Sequence, residues 1–332
     1  MRNKLPKRGA ASALRVCVGF SGGLDSTVLL HLLAAERAST GMVLSAAHVH
    51  HGLNPQADAW ARDCRAICRQ LDVPFQLRRV RVSRAPRTSL EEEARTARYA
   101  ALAALPVEVI ALAHHADDQA ETLLLQLLRG AGPKGLAGMA ALSALAALKP
   151  LVGAGVGREA GKSAGQDAVI PMLLWRPLLD CNRAQLEAYA QQHQLVWIED
   201  SSNLDVRFKR NFVRARVMPV LAEGFPAPVT TLARAARHQA DAASLADAAA
   251  DNDLSGVRRG AGLEIAPLLV LDNVRLKNLL RRWLAQHALR QPSEARLLAL
   301  LRALRQSSND TRLAWQHDGR VVRRTKGLLH CS

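Results

Sequence analysis

The sequence predicts an α/β fold in which a parallel, Rossmann-like sheet is followed by a small, mostly helical domain. Strand-like and helix-like stretches alternate from residue 14 onward. Near the start, an apolar strand runs directly into a Ser/Gly loop and then into an apolar helix, which is the order of a nucleotide-binding βα unit. Beyond residue 222 the pattern becomes helical and rich in arginine. These three observations together favour two domains, at residues 1–222 and 223–332.

Four strands are predicted in the first domain, at Leu14–Phe20, Met42–Val49, Phe75–Val82 and Val107–Ala113. The helices between them are predicted to cover Ala57–Leu71, to open at Ser89 in a capping box with Glu92, and to cover Asp117–Leu128. A helix at Asn182–His193 follows a Gly/Ala-rich stretch, Gly153–Ala168, that we interpret as a flexible insertion. Strand–helix–strand units of this kind place ligands outside the carboxyl ends of the strands. The motifs at those ends are therefore expected to meet in one site.

The boundary between the domains is predicted at Glu223–Pro228, where two prolines and a glycine interrupt the helical pattern. The second domain is then expected to hold helices over Val229–Ala250, around Leu276–Leu284 and over Glu294–Leu304, with a short strand near residues 320–324.

Charge and composition narrow the class of protein. The net charge is +16, of which residues 201–332 carry +11, and an excess of this size predicts a polyanionic partner. With two Tyr and five Phe in the chain, base stacking is not expected to dominate. No apolar run reaches the ~20 residues that cross a bilayer, and residues 1–13 lack the apolar centre of a signal peptide. Five cysteines, an odd number, suit a reducing compartment, so we expect a cytoplasmic protein with no membrane contact.

The first chemical motif is the loop after the first strand. It reads Ser21, Gly22, Gly23, Leu24, Asp25 and Ser26. Two glycines allow a tight turn with converging N–H groups, two hydroxyls add donors, and the following helix directs its positive end at an anion. The loop lacks the lysine of the P-loop motif. We interpret it as a phosphate cradle.

The second motif lies where the fourth strand enters its helix. It contains His114, His115, Asp117, Asp118, Gln119 and Glu121. On a helix, Glu121 stands one turn from Asp117 and Asp118. Such a cluster can hold Mg²⁺ between phosphates or bind an ammonium group. Zinc is disfavoured because the set is rich in oxygen ligands.

The third motif is a Ser/Asn/Asp-rich loop at residues 199–205 that leads into a basic helix. Arg210 and Arg214 are four residues apart and share one helix face, where they can grip a phosphate or a carboxylate through paired hydrogen bonds. Asn211 lies between them.

Together the three motifs resemble the tRNA(Ile)-lysidine synthetases, a family of N-type ATP pyrophosphatases with an adenine nucleotide α-hydrolase-like fold. The likeness extends through His48-Val-His-His51-Gly-Leu53, residues 91–99, Gly135-Leu-Ala-Gly-Met139 and Arg176-Pro-Leu-Leu179, and so covers about residues 14–222. The resemblance implies ATP-dependent ligation of L-lysine to C2 of cytidine 34 in the CAU anticodon of tRNA(Ile), through an adenylated cytidine and with release of pyrophosphate and AMP.

The resemblance also implies roles for single residues. The cofactors would be ATP and Mg²⁺, with ATP bound by the phosphate cradle, His48 and His114, and with Mg²⁺ held by Asp25 and Asp117. Asp118 and Glu121 would hold or deprotonate the lysine ammonium. Arg210, Asn211 and Arg214 would contact the substrate, although a basic residue near RNA can equally bind a phosphate.

Three other functions compete with this one. A tRNA cytidine thiolase of the same fold would be expected to carry a Cys-x-x-Cys pair, which this chain lacks. A small-molecule ligase would not need a basic second domain, and an RNA-binding module without catalysis would not need the phosphate cradle beside the acids. The sequence leaves the oligomeric state open, a homodimer included.

Overall fold

A computed structural model describes residues 13–82, 90–145, 172–200, 205–306 and 313–332. Within these ranges the chain divides into two compact units, residues 1–239 and 240–332. The predicted capping residue Ser89, the predicted insertion Gly153–Ala168 and the polar loop residues Ser201–Asn203 lie outside the described residues.

The first unit contains a six-stranded sheet in the order β3-β2-β1-β4-β6-β5. Its strands are β1 Arg15–Gly19, β2 Val43–His50, β3 Phe75–Arg79, β4 Val109–Ala111, β5 Leu142–Ala144 and β6 Leu173–Trp175. All neighbouring pairs are parallel except β5 with β6. The four predicted strands are therefore confirmed, although β3 and β4 are shorter than expected. The short strands β5 and β6 had no counterpart in the sequence analysis.

Helices connect these strands. They are α1 Leu24–Thr40, α2 Ala57–Gln70, α3 Leu90–Ala103, α4 Ala116–Leu127, α5 Pro133–Leu136, α6 Arg183–Gln192, α7 Lys209–Phe212 and α8 Met218–Gly224. A π-helical turn, Val213–Val217, joins α7 to α8. A further helix, α9 Pro228–Val257, begins in the first unit and ends in the second.

The central strand β1 is buried on both faces. Val16 and Val18 belong to a core cluster that includes Leu29 of α1, whereas Cys17 belongs to a second cluster with Leu102 of α3. Because neighbouring strand residues point to opposite faces, the two clusters are the two layers between sheet and helices. This double-sided burial explains why β1 reads as a continuous apolar run.

The second unit packs helices and an antiparallel sheet around one core. Its elements are β7 Arg258–Arg259, β8 Gly262–Glu264, α10 Ile265–Val270, α11 Asn273–Gln286, α12 Glu294–Gln306, β9 Ala314–His317, β10 Arg320–Thr325 and β11 Leu328–Cys331. The sheet order is β7-β8-β11-β10-β9. Trp283 and Leu297 are buried in the core. Only one of these strands was expected, so the unit has more sheet than the sequence analysis predicted.

Among the described residues, the structure contains no helix that combines the length and the apolar character needed to span a bilayer.

Candidate active site

The loop between β1 and α1 has the geometry expected of an anion cradle. Gly23 precedes α1 in an extended conformation, and no side chain of the described residues caps that helix. Ser21 Oγ lies 3.0 Å from Ser26 Oγ, so the two hydroxyls flank one point. Uncapped N–H groups at the start of a 17-residue helix attract negative charge. The side chain of Leu24 is buried in the core, which leaves its backbone N–H as its contribution to a ligand.

Gly22 fixes the path of this loop. Its φ of +87° lies in the left-handed region, and a Cβ there would come within 2.4 Å of Ile198 Cδ1 and 2.7 Å of Cys64 Sγ. The carbonyl of Gly22 accepts a hydrogen bond from Ile198 N at 2.9 Å and one from Thr27 Oγ1 at 3.2 Å. Both the turn and the close packing therefore require glycine.

His48, near the end of β2, makes a hydrogen bond to the residue that precedes the phosphate cradle. Its Nδ1–H donates to the carbonyl of Phe20 at 2.9 Å, and the Cys64 thiol lies 3.5 Å from the same nitrogen. Burial lowers the pKa of His48, so the ring is neutral. The histidine thus holds the residue that precedes Ser21.

His115 joins the cradle to the acid motif. Its Nε2 lies 3.6 Å from Asp25 Oδ2 and 3.7 Å from Asp118 Oδ2, and its Nδ1 lies 3.2 Å from Asp117 Oδ2. Burial alone would lower the pKa of His115, but the surrounding carboxylates Asp117, Asp25 and Asp118 outweigh it and raise the pKa to about 10. His115 therefore lies within 3.7 Å of three carboxylates and connects them. Sequence analysis named this histidine in the motif but gave it no role.

The backbone keeps the acids around His115 in place. The His115 N–H donates to Asp118 Oδ2 at 3.1 Å, and the Arg183 N–H donates to Asp117 Oδ2 at 2.9 Å. Although burial opposes it, contact with His115 and with the Arg183 N–H holds the pKa of Asp117 below its usual value. Arg183, at the start of α6, is a second residue that sequence analysis missed, because its contact depends on the fold.

Glu121 lies deeper in the same cluster, with a side chain that is 2% exposed. Arg214 Nε donates to its Oε1 at 2.7 Å and Arg214 Nη2 to its Oε2 at 3.2 Å. Arg210 Nε lies 3.3 Å from Oε2. Burial raises the pKa of Glu121 even though both arginines oppose the shift, so Glu121 accepts a proton more readily than an exposed glutamate.

Asp118 shares the same two arginines. Its Oδ1 lies 3.5 Å from Arg214 Nη2 and 4.0 Å from Arg210 Nη1. Arg210 Nη2 also donates to Thr122 Oγ1 at 2.6 Å, which sets the direction of its guanidinium. The structure thus brings both predicted acids and both predicted arginines into one cluster.

The remaining predicted substrate residue, Asn211, supports the loop before α7. Its Nδ2 donates to the carbonyl of Asp205 at 3.0 Å. Arg214 stands in the π-helical turn after α7, and such turns, which hold one extra residue, recur at functional sites.

Among the described residues, several buried polar atoms of these motifs have no hydrogen-bond partner. They are Asp25 Oδ1, His51 Nδ1, His114 Nδ1 and His115 Nε2. Burial lowers the pKa of His114 to about 3, so it is a neutral ring that can donate or accept. Since buried polar groups are nearly always satisfied in native proteins, these atoms are candidates for contact with a polar ligand.

The same atoms allow a test of the predicted magnesium site. Within the described chain, no three His, Cys, Asp or Glu side chains are arranged as a complete metal site. Mg²⁺, however, commonly takes only one or two carboxylates and completes its shell with phosphate and water. Asp25 and Asp117 fit that requirement, since Asp25 Oδ1 accepts no hydrogen bond from the described residues and lies 3.9 Å from Arg183 Nη1.

Comparison with known proteins identifies the family. A family model described as a PP-loop domain matches residues 2–221, and one described as a TilS substrate binding domain matches residues 263–330. A tRNA(Ile)-lysidine synthase from Pseudomonas putida is 43% identical over 318 residues, which cover 92% of this chain and 68% of that protein. The chain belongs to the tRNA(Ile)-lysidine synthase family. This confirms the resemblance drawn from the three motifs.

Other tRNA(Ile)-lysidine synthases show the same likeness. The one from Chromobacterium violaceum is 45% identical over 286 residues, covering 86% of this chain and 60% of the relative. The one from Pseudomonas aeruginosa is 43% identical over 327 residues, covering 94% of this chain and 68% of the relative. The chain thus spans about 60–68% of the length of these relatives.

One solved structure confirms the fold alone. The U34-tRNA thiolase NcsA from Methanococcus maripaludis, with its 4Fe-4S cluster, superposes with a TM-score of 0.50 at 14% identity, covering 69% of this chain and 73% of that one. All five cysteines here are free thiols, and Cys17, Cys64 and Cys68 are buried. The relatives that match over most of this chain are named tRNA(Ile)-lysidine synthase, so the thiolase alternative gains no support.

Proposed function

We propose that the protein ligates L-lysine to C2 of cytidine 34 in the CAU anticodon of tRNA(Ile), with ATP as co-substrate. The observation that carries this proposal is His115, which links Asp25 of the phosphate cradle to Asp117 and Asp118 of the acid cluster. Phosphate-binding and amine-binding groups are thereby parts of one site. Membership of the family agrees with this assignment.

In the first step, the cytidine O2 attacks the α-phosphorus of ATP and the bond to pyrophosphate breaks. The N–H groups at the start of α1, Ser21 and Ser26 would bind the departing pyrophosphate. Asp25 and Asp117 would hold Mg²⁺, which supplies positive charge to the phosphate oxygens when bound. The neutral rings of His48 and His114 would line the nucleotide site.

In the second step, the lysine ε-nitrogen attacks C2, the C2–O2 bond breaks, and AMP leaves with the oxygen. The ammonium must first lose a proton. Glu121 suits this task because its burial raises its pKa, with Asp118 beside it to hold the cation. Arg210 or Arg214 would meet the lysine carboxylate through its planar guanidinium, and Asn211 would support the loop that carries them.

The second unit would bind the tRNA through its phosphates, since residues 240–332 hold 15 basic and 9 acidic residues, a net charge of +6. Cytidine 34 lies in a single-stranded loop, so exposing the base to the site requires no duplex opening.

The proposal is tested by mass spectrometry of tRNA(Ile) incubated with protein, ATP and lysine. We expect an adduct with the mass of lysine less water on one cytidine of the CAU anticodon, and none on a transcript with uridine 34. Asp25→Ala should abolish pyrophosphate release while the thermal unfolding temperature stays close to that of wild type. A sulfur-mass adduct would instead support the thiolase, and no adduct on the CAU transcript would refute the proposal.

A further inference from the structure

Two phenylalanines are exposed on the helix that carries the site arginines. Phe208, the residue before α7, is 43% exposed, and Phe212, its last residue, is 49% exposed. Elsewhere in the chain, Phe20 is 1% exposed, and the Phe75 ring lies under Arg65, whose Cζ is 5.3 Å from the ring centroid. The fifth phenylalanine, Phe225, is also exposed, at 64%, so Phe208 and Phe212 are distinguished by their position beside the site arginine Arg210.

Helical spacing places the two rings on one face. Residues four apart lie one above the other on a helix, and the Phe212 N–H donates to the Phe208 carbonyl at 2.9 Å, so the turn is closed. Arg210 lies two residues from each phenylalanine, which on a helix is a rotation of about 200° and places it on the opposite face. Arg210 points at Thr122 and Glu121 from the opposite face. One helix therefore directs guanidinium groups into the acid cluster and aromatic rings away from it.

Exposed cations flank the aromatic pair along the chain. Arg207, Lys209 and Arg216 are exposed on the same stretch of chain, and Arg207 forms a 2.7 Å ion pair with Asp205. Aromatic rings interleaved with cations are the combination that binds single-stranded nucleic acid, because the rings stack on bases while the cations follow the phosphates.

We propose that Phe208 and Phe212 form a stacking platform for unpaired bases of an RNA loop, next to the base that reacts. The inference rests on the proposed function, since it takes an anticodon loop as the RNA. The platform lies across α7 from the acid cluster, about one helix diameter, ~10 Å, away. It would therefore bind neighbours of the target cytidine and hold the loop in register with the site.

The test uses the full chain and a CAU anticodon stem-loop RNA with 2-aminopurine beside the target cytidine, without ATP or lysine. Phe208→Ala and Phe212→Ala should each weaken binding about five- to a hundredfold and reduce the quenching of 2-aminopurine. Because stacking releases no counterions, the dependence of log K on log salt should stay unchanged. Lys209→Ala should instead lower that slope by about 0.7.

Three variants serve as controls. Phe212→Trp should bind within about threefold of wild type, because the larger ring still stacks. Phe212→Leu keeps an apolar side chain without a ring and should bind as weakly as Phe212→Ala. Val220→Ala removes another exposed apolar group, 64% exposed, and should change nothing. Since the rings are exposed, unfolding temperatures should stay equal across the set.

The proposal is overturned if both alanine variants bind within twofold of wild type, or if Phe212→Leu binds like wild type. It is also overturned if sedimentation shows a dimer that the alanine variants dissociate, because a second copy would then cover this face. Failure of the proposed function has a different signature. In that case no lysine adduct forms on tRNA(Ile), while stem-loop binding still depends on the two rings.

Discussion

Arg214 grips Glu121 through two hydrogen bonds that join residues 93 positions apart in the chain. The acid is almost fully buried, whereas the arginine side chain is 35% exposed. Removing one partner of such a pair costs more than the pair itself contributes, because the other charge loses its compensation. The acid cluster is thus charge-compensated before any cationic substrate arrives.

We expect Glu121→Gln to raise the lysine KM at least tenfold, with a much smaller effect on the KM for ATP, because the amine loses its nearest acid. The free energy of unfolding, measured with urea, should fall by about 1–3 kcal/mol, less than for a fully buried pair since Arg214 reaches solvent. The double variant Glu121→Gln, Arg214→Gln should recover part of that stability but not the use of lysine. A collapse of ATP affinity with unchanged lysine dependence would place Glu121 in the phosphate site instead.

Gly22→Ala should abolish ATP binding and destabilise the protein by about 1–3 kcal/mol, because a Cβ there meets Ile198 and Cys64 in a backbone conformation that disfavours side chains. Gly41→Ala is the matched control. Gly41 has a φ of +67° with nothing within 4 Å, so only the conformational cost applies. Calorimetric titration with ATP should show binding retained in Gly41→Ala and lost in Gly22→Ala.

Acid should destabilise the first unit through His51. Burial, helped by the nearby charge of Arg98, lowers the pKa of His51 to about 4, whereas an unfolded histidine titrates near 6.5. Between these values the unfolded state binds more protons, so stability falls as pH drops from about 6.5 to 4. Urea unfolding should show about 1–2 kcal/mol less stability at pH 5 than at pH 7.5 from this group. His51→Gln should remove that part of the loss of stability. If the pH dependence of this variant matches that of wild type, His51 does not cause the loss.

The second unit should contact tRNA phosphates rather than bases. An open cavity of about 540 Å³ there is lined by Arg259, Arg324 and Lys326, and Arg323 is exposed nearby. The double variant Arg323→Ala, Lys326→Ala should weaken the binding of all tRNAs alike. It should also lower the slope of log K against log salt by about 1–2, with ATP binding unchanged. Arg69→Ala, an exposed arginine on α2, is the control and should leave the slope intact. Loss of discrimination between tRNAs would indicate base contacts instead.

Sequence patterns predicted the sheet well because β1 and β2 are buried and apolar, and because parallel strands deliver their motifs to a common edge. They also placed Arg210 and Arg214 on one face, and both arginines reach Glu121. The π-helical turn that carries Arg214 has no sequence signal, since it depends on how the turn packs.

The bridging role of His115 depends on a contact with Asp25, ninety residues earlier, which no local pattern encodes. The second sheet was largely missed for a different reason. Its strands span only two to six residues, and arginines interrupt the apolar alternation in β10. Each strand therefore shows too few alternating apolar and polar residues to be recognised from sequence.

The cysteines lend themselves to site-selective labelling. Burial raises the pKa of Cys17 to about 11 and those of Cys64 and Cys68 to about 12. These three thiols should therefore not react with maleimide dyes while the protein is folded. Cys181 and Cys331 are partly exposed, and one lies in each compact unit. The natural chain therefore offers one attachment point per unit, and energy transfer between two dyes can follow the units when RNA binds.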